Sequence, residues 1–284
     1  MKHREKPKTE QVPRVRFVLH GGQEKGLVDG QPALFDPSGE IQAARPHEVR
    51  TAIVTGRQRG SRGRKADVSG AYLNTPLEKT QWMEAPDGVT PPSPGLKMRV
   101  ERNLYGMIPA GRLWHLQFRQ DLIDWGYKAS SADPCLFVRW KGGTETAPHS
   151  MVRVVSFVDD MDIVNDCDAA GREMLGELMA HIDAKYDFSS SDDDDVYLGM
   201  AAERTSPTSI FLNQYAYQKK VMAKLGYSGC EPVYTPCKQG FKVLVADCPD
   251  CDPGDNRHGR EFREKCGILR WLEQCTRPDI AAFL

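Results

Sequence analysis

Between Met151 and Asn165 the chain holds two segments rich in β-branched residues, and Asp159-Asp160 stands between them. Such segments around a short polar break predict a β-hairpin with both carboxylates at its tip. The choice of residues at that tip is costly. Tight hairpins prefer Asn-Gly or Asp-Gly, whose central residues tolerate positive φ. Adjacent carboxylates also repel and raise each other's pKa unless a cation compensates. A hard divalent cation such as Mg²⁺, which takes carboxylate oxygens, would remove that conflict. The alternative is a solvated acidic turn with no ligand.

A second aspartate gives the first reading more weight. Asp67 closes a short extended segment, 92 residues before Asp159. Three aspartates on adjacent strands of one sheet can hold two Mg²⁺ ions, and a two-ion centre suits in-line displacement at phosphorus. The charge distribution agrees with a polyanionic partner. Residues 1–120 carry 20 basic and 12 acidic residues, whereas residues 121–284 carry 18 and 27. A basic front half attracts polyanions, and an acidic back half offers cation sites or a solvated face.

The remaining pattern is that of a globular α+β chain. No apolar run reaches the length of a membrane span, and the start, Met-Lys-His-Arg-Glu-Lys6, lacks the apolar core of a signal peptide. The eight cysteines are therefore expected to be reduced thiols inside a cell. Residues 1–13 read as a charged arm, and Arg14-Val-Arg-Phe-Val-Leu19 as a strand with one basic face. A short helix is expected around 46–54, with Pro46 in its first turn. The run 56–65 has five basic residues and no acid, and reads as a surface loop or a phosphate-contacting one.

Amphipathic spacing predicts three helices. In 110–125, Trp114, Phe118, Leu122 and Trp125 share a face, and Gly126 ends it. In 169–186 the stripe is Leu175, Leu178, Ile182 and Tyr186, with Asp166 or Asp168 as N-cap. In 214–225 it is Tyr217, Val221 and Leu225, and Gly226 stops the helix. Residues 86–95 are loop, and Ser189–Asp195 is expected to be a solvated acidic loop. Strands and helices do not alternate strictly, which argues for α+β over α/β.

Asp67-Val-Ser-Gly-Ala-Tyr-Leu-Asn74 and Phe157-Val-Asp-Asp160 resemble motifs A and C of reverse transcriptases, in particular those of copia-type retrotransposons. Trp82-Met-Glu-Ala-Pro-Asp-Gly88, Leu104-Tyr-Gly-Met107, Arg112-Leu-Trp114, Asp133-Pro-Cys-Leu-Phe137, Tyr197-Leu-Gly199, Thr235-Pro236 and Thr276-Arg-Pro-Asp-Ile280 follow in the family's order. The resemblance implies a right-hand polymerase fold of fingers, palm and thumb, with an antiparallel palm sheet backed by helices. It divides the chain into an arm with partial fingers (1–66), a palm with a fingers insertion at about 75–150 (67–203), and a truncated thumb or connection segment (204–284).

It also implies roles. Asp67, Asp159 and Asp160, with the Val68 carbonyl, would hold two Mg²⁺ ions, or Mn²⁺ in their place. Tyr72 would be the steric gate against a ribose 2′-hydroxyl, and Arg14 and Arg16 would meet the incoming triphosphate. Tyr197, Leu198 and Gly199 would steady the primer terminus, and Lys219, Lys220 and Lys224 would contact duplex phosphates. The partners implied are dNTPs, an RNA or DNA primer–template and other Pol segments such as ribonuclease H and integrase. No membrane partner is implied, and the location is cytoplasmic, in particles, or nuclear.

The chain departs from the family pattern in three places. Ile108-Pro109 stands where a Lys-Gln pair is usual, residues 56–65 replace an apolar helix, and a first fingers strand is not recognisable. These departures motivate a second expectation, a catalytically silent nucleic-acid-binding relic of the same fold. A generic metal-dependent nuclease is a third, but it gives Tyr72 no task. Cys248-Pro-Asp-Cys251 has half of a zinc-site spacing without a matching second pair, so unpaired thiols are expected.

Overall fold

In the computed structural model of the 284-residue chain, the residues described are 49–54 (except 52), 63–191 (except 87 and 108), 196–235 (except 207 and 208), 240 and 257–283. Arg14, Arg16, Cys248 and Cys251 lie outside them.

Two compact units emerge. Among the described residues, the first comprises Gly70–Phe118 and the second the remainder, 49–69 and 119 onward. Residues 49–51, 53 and 54 form a short helix, α1, within the segment where one was expected. Strand β1, Gly63–Val68, follows. After it come β2 (Pro76–Met83) and β3 (Met98–Arg102), paired with each other antiparallel in the first unit. The intervening 86–95 is irregular, as its Pro and Gly content dictates. Helix α2 spans Ala110–Asp124, with Trp114, Phe118 and Leu122 buried as the spacing predicted.

The second unit is built on a six-stranded antiparallel sheet. Its strands are β1, β4 (Lys128–Ala129), β5 (Leu136–Gly143), β6 (Pro148–Phe157), β7 (Asp160–Asn165) and β8 (Phe188–Ser191). Their spatial order is β4-β5-β6-β7-β1-β8. Of the stretch expected to hold a fingers insertion, this sheet takes residues from 128 onward. Helix α3 (Ala169–Lys185) packs on β5, β6 and β7 and buries Met174, Leu178 and Ile182. Asp168 is its N-cap, accepting from the Gly171 N–H at 2.6 Å. Arg139 on β5 meets Glu177 of this helix at 2.6 Å.

The opposite face of the sheet carries a second apolar cluster. Val155 of β6 and Cys135 pack there with Tyr197, Met200, Ala202 and Cys275. These come from β9 (Val196–Tyr197), β10 (Met200–Ser206) and the long helix α5 (Arg257–Cys275), which was not foreseen. β10 also pairs with β11 (Ser209–Asn213), and α4 (Tyr215–Leu225) follows, closed by Gly226 at φ 80°. With both faces of the sheet covered, β6 and β7 are buried along most of their length, including the polar Ser150, Ser156, Asp162 and Asn165.

Three expectations need correcting. The hairpin of 151–165 exists, but its two turn residues are Val158 and Asp159; Asp160 is already the first residue of β7, opposite Phe157. Ser189–Ser191, expected in a solvated loop, is strand β8, because its backbone completes the ladder on the outer side of β1. Gly63–Lys65, expected in a basic loop, is the first half of β1, since β7 pairs with its backbone throughout and β8 joins at Lys65.

Candidate active site

β1 and β7 run antiparallel in a register that sets Asp67 directly opposite Asp160. Directly opposite residues in such a ladder have Cα atoms about 4.5–5.5 Å apart. The tip of the β6–β7 hairpin is tied to the same strand, because the Val68 N–H donates to the Asp159 carbonyl at 3.0 Å. Asp67 and the consecutive pair Asp159-Asp160, 92 residues later, thus lie at one end of two neighbouring strands. Asp67 and Asp160 are exposed, and Asp159 is half-buried. The Asp160 carboxyl titrates above the usual carboxylate range. Partial desolvation comes first among the causes, then the negative charges of Asp159 and Asp67, with Lys65 opposing them. The centre is short of positive charge.

Residues 42–239 match the family model described as reverse transcriptase (RNA-dependent DNA polymerase). The chain belongs to the reverse transcriptase family. Among its relatives is the "Retrovirus-related Pol polyprotein from transposon TNT 1-94" of Nicotiana tabacum, 24% identical over 272 residues, a match covering 94% of this chain and 19% of the relative. Another is the "Retrovirus-related Pol polyprotein from transposon RE1" of Arabidopsis thaliana, 27% identical over 220 residues, covering 77% of this chain and 14% of that protein. Both support the copia-type resemblance, and the chain spans under a fifth of the length of either polyprotein.

Two strained turns frame the carboxylates of this reverse transcriptase chain. Among the described residues, Val158 (φ 60°) and Leu198 (φ 50°) are the two non-glycine residues with left-handed φ. For a β-branched residue this conformation is a genuine outlier, and such strain collects at functional sites. Val158 takes the first central position of the β6–β7 turn, where a type II′ turn prefers glycine. Leu198 and Gly199 (φ 79°) form the two-residue turn between Tyr197 and Met200, with the double positive φ of a type I′ turn. Tyr197 itself is buried, and its hydroxyl lies 3.4 Å from both the Val155 and the Asp160 carbonyls. One tyrosine therefore props the hairpin beneath the acidic residues. Any direct contact this turn makes with a ligand falls to Leu198 and Gly199.

A cleft of about 320 Å³ opens beside the acidic pair, lined by Lys65, Ala66, Asp67, Asp160 and Ser189–Ser191. Lys65 and the three serines were not singled out from the sequence. Their signal was weak, because one lysine in a basic run and three serines before an acidic run look like ordinary surface.

Other expected site residues are placed as follows. Tyr72 lies in the other unit, half-buried in the 3₁₀ turn Ala71–Asn74 that follows Gly70 (φ 61°). Its ring tilts against Tyr105 with centroids 4.7 Å apart, within the same unit. Lys219 and Lys220 are exposed on α4. Lys224 is exposed too, but it is paired with Glu264 of α5 at 2.5 Å, which leaves it less charge to offer a phosphate.

The donor set fits a hard divalent cation: carboxylate oxygens in excess, with a raised proton affinity at Asp160 that a cation would relieve. Among the described residues, no three His, Cys, Asp or Glu side chains are gathered as a ready-made metal cage. That is in keeping with Mg²⁺ chemistry, in which one or two carboxylates share the ion with substrate phosphates and water. Among the same residues no helix is long and apolar enough to cross a membrane.

Proposed function

We propose that this chain catalyses template-directed DNA synthesis, adding deoxynucleotides to a primer 3′-end by two-metal nucleotidyl transfer. The observation that carries the proposal is the pairing of Asp67 with Asp160, beside Asp159, in a member of the reverse transcriptase family. Asp67, Asp159 and Asp160, with the Val68 carbonyl, would hold two Mg²⁺ ions (or Mn²⁺). Held there, such ions would supply activation of the primer hydroxyl and charge neutralisation for the leaving pyrophosphate. The primer 3′-oxygen bonds to the α-phosphorus as the bond to pyrophosphate breaks.

The other residues bind and orient. Tyr72 excludes a ribose 2′-hydroxyl, and Arg14 and Arg16 meet the triphosphate. The Leu198-Gly199 turn, propped by Tyr197, steadies the primer, and Lys219 and Lys220, with a weaker part for Lys224, follow duplex phosphates. In this reading residues 1–66 are an arm and partial fingers, 67–203 a palm with inserted fingers, and 204–284 a thumb-like segment of a right-hand fold. The template is RNA or DNA, and other Pol segments are its natural neighbours.

Primer extension on purified protein tests the reading. Asp159→Asn should lose at least about a hundredfold in incorporation while still binding primer–template. Undiminished synthesis by that variant would remove the two-metal assignment. Primer–template binding by the parent chain with no incorporation would leave the silent relic as the better account.

A further inference from the structure

The three-stranded edge β8-β1-β7 presents two successive rungs on one face. The outer rung is Ser189–Asp67–Asp160, and the next is Ser191–Lys65–Asp162. Directly opposite residues share a face, and so do residues two apart on one strand, so Lys65 and Asp162 lie on the face of the acidic pair. The two rungs differ in depth. Asp67 and Asp160 are exposed, whereas Asp162 is only 4% exposed.

Burying a carboxylate at that depth is costly unless it is paired or hydrogen-bonded, and the residue across the ladder from it is the cationic Lys65. Lys65 also lines the cleft with Asp67 and Asp160, one rung along the same face from them. From this placement we infer that Lys65 is a positioning residue: drawn to Asp162 across the ladder, it keeps a resident positive charge on the floor of the acidic cleft. That charge holds the carboxylates compatible with one another before a cation arrives and competes with cation binding until nucleotide phosphates join the site. The inference rests on Asp67, Asp159 and Asp160 being the metal ligands, and it adds two residues to which no role has been given.

Mn²⁺ binding to the nucleotide-free chain, followed by loss of the free-ion paramagnetic resonance signal, separates the two claims without any assay of synthesis. Lys65→Met should tighten Mn²⁺ binding about fivefold, the size expected for one charge several ångströms from a divalent ion in a wet cleft. Lys65→Arg should stay within twofold of the parent chain. Asp162→Asn, which keeps the shape of the side chain, should weaken binding by a similar factor. Opposite signs at the two positions distinguish electrostatic positioning from a folding defect, which would weaken binding in both. Should Lys65→Met fail to fold because Asp162 is left without its partner, Asp162→Asn against Lys65→Arg still decides the matter. Shifts of the same sign, or none, with Asp159→Asn markedly weaker, would overturn the role of Lys65 and leave the acidic centre standing. Unchanged binding in Asp159→Asn would instead remove the ligand assignment itself, and Lys65's role with it.

Discussion

Asp121 and Asp160 belong to the same unit and meet opposite circumstances. Asp121 is buried at 6% exposure, accepts a hydrogen bond from the Tyr186 hydroxyl, and takes an ion pair from Lys185 at 2.5 Å. Its donors make it a structural tie between α2 and the end of α3. Asp160 is exposed, yet partial desolvation, and after it the negative charges of Asp159 and Asp67, raise its pKa. A buried carboxylate with its donors in place is at rest, whereas an exposed one with its pKa raised is a group that a cation would stabilise. Burial alone would have pointed to the wrong residue.

The comparison can be broken or sharpened experimentally. The largest effect is the loss of primer extension in Asp159→Asn, which must be absent from Asp121→Asn if the two carboxylates differ in kind. Next, Asp121→Ala should cost about 2–3 kcal/mol, because it strands the buried Tyr186 hydroxyl. Thermal unfolding would read this as a Tm lower by roughly 3–5 °C, and a change under one degree would mean the tie is idle. Tyr197→Phe should cost about 1 kcal/mol, since its two long contacts with the Val155 and Asp160 carbonyls are lost. It should lower synthesis more than stability if the prop matters to the site.

A smaller effect follows from the raised pKa of Asp160. A carboxyl whose folded pKa is raised binds protons more tightly folded than unfolded, so its charge costs stability above the raised value and nothing below the ordinary one. Asp160→Asn should therefore melt higher than the parent chain at pH 7–8 without metal, and the gap should close as pH falls toward about 4. Saturating Mg²⁺ should raise the parent's Tm more than the variant's. A gap independent of pH would point away from charge crowding. Smallest of all, Val158→Gly should change stability by no more than about 1 kcal/mol, because relief of the left-handed φ is offset by backbone entropy. A larger loss would show that the valine side chain is anchored by packing.

Much of this was legible in the residues. The helices at 110–124, 169–185 and 215–225 follow from apolar spacing and from their glycine or aspartate ends. The hairpin of 151–165 follows from its β-branched runs, although the turn lies one residue earlier than the acidic pair suggested. β8 was hidden because Ser189–Ser191 has neither apolar periodicity nor β-branched residues; it is a strand only because β1 offers an unpaired edge. α5 was missed for a related reason, as its charged surface masks the few residues, Leu272 and Cys275, that it buries.

What the chain's own residues determined is the chemistry: three aspartates able to offer hard oxygen donors, a β-rich hairpin to carry two of them, and motif spacing that identified the family. What only tertiary structure decided is register. Strand pairing brought Asp67 opposite Asp160 and Lys65 opposite Asp162, and it sank one carboxylate while leaving the other in water. The physical reason is that side chains alternate along a strand with a period of two, so a slip of one residue in either partner would turn these groups to the other face. That alignment is fixed by the apolar residues packed around the sheet, not by the acidic residues it brings together.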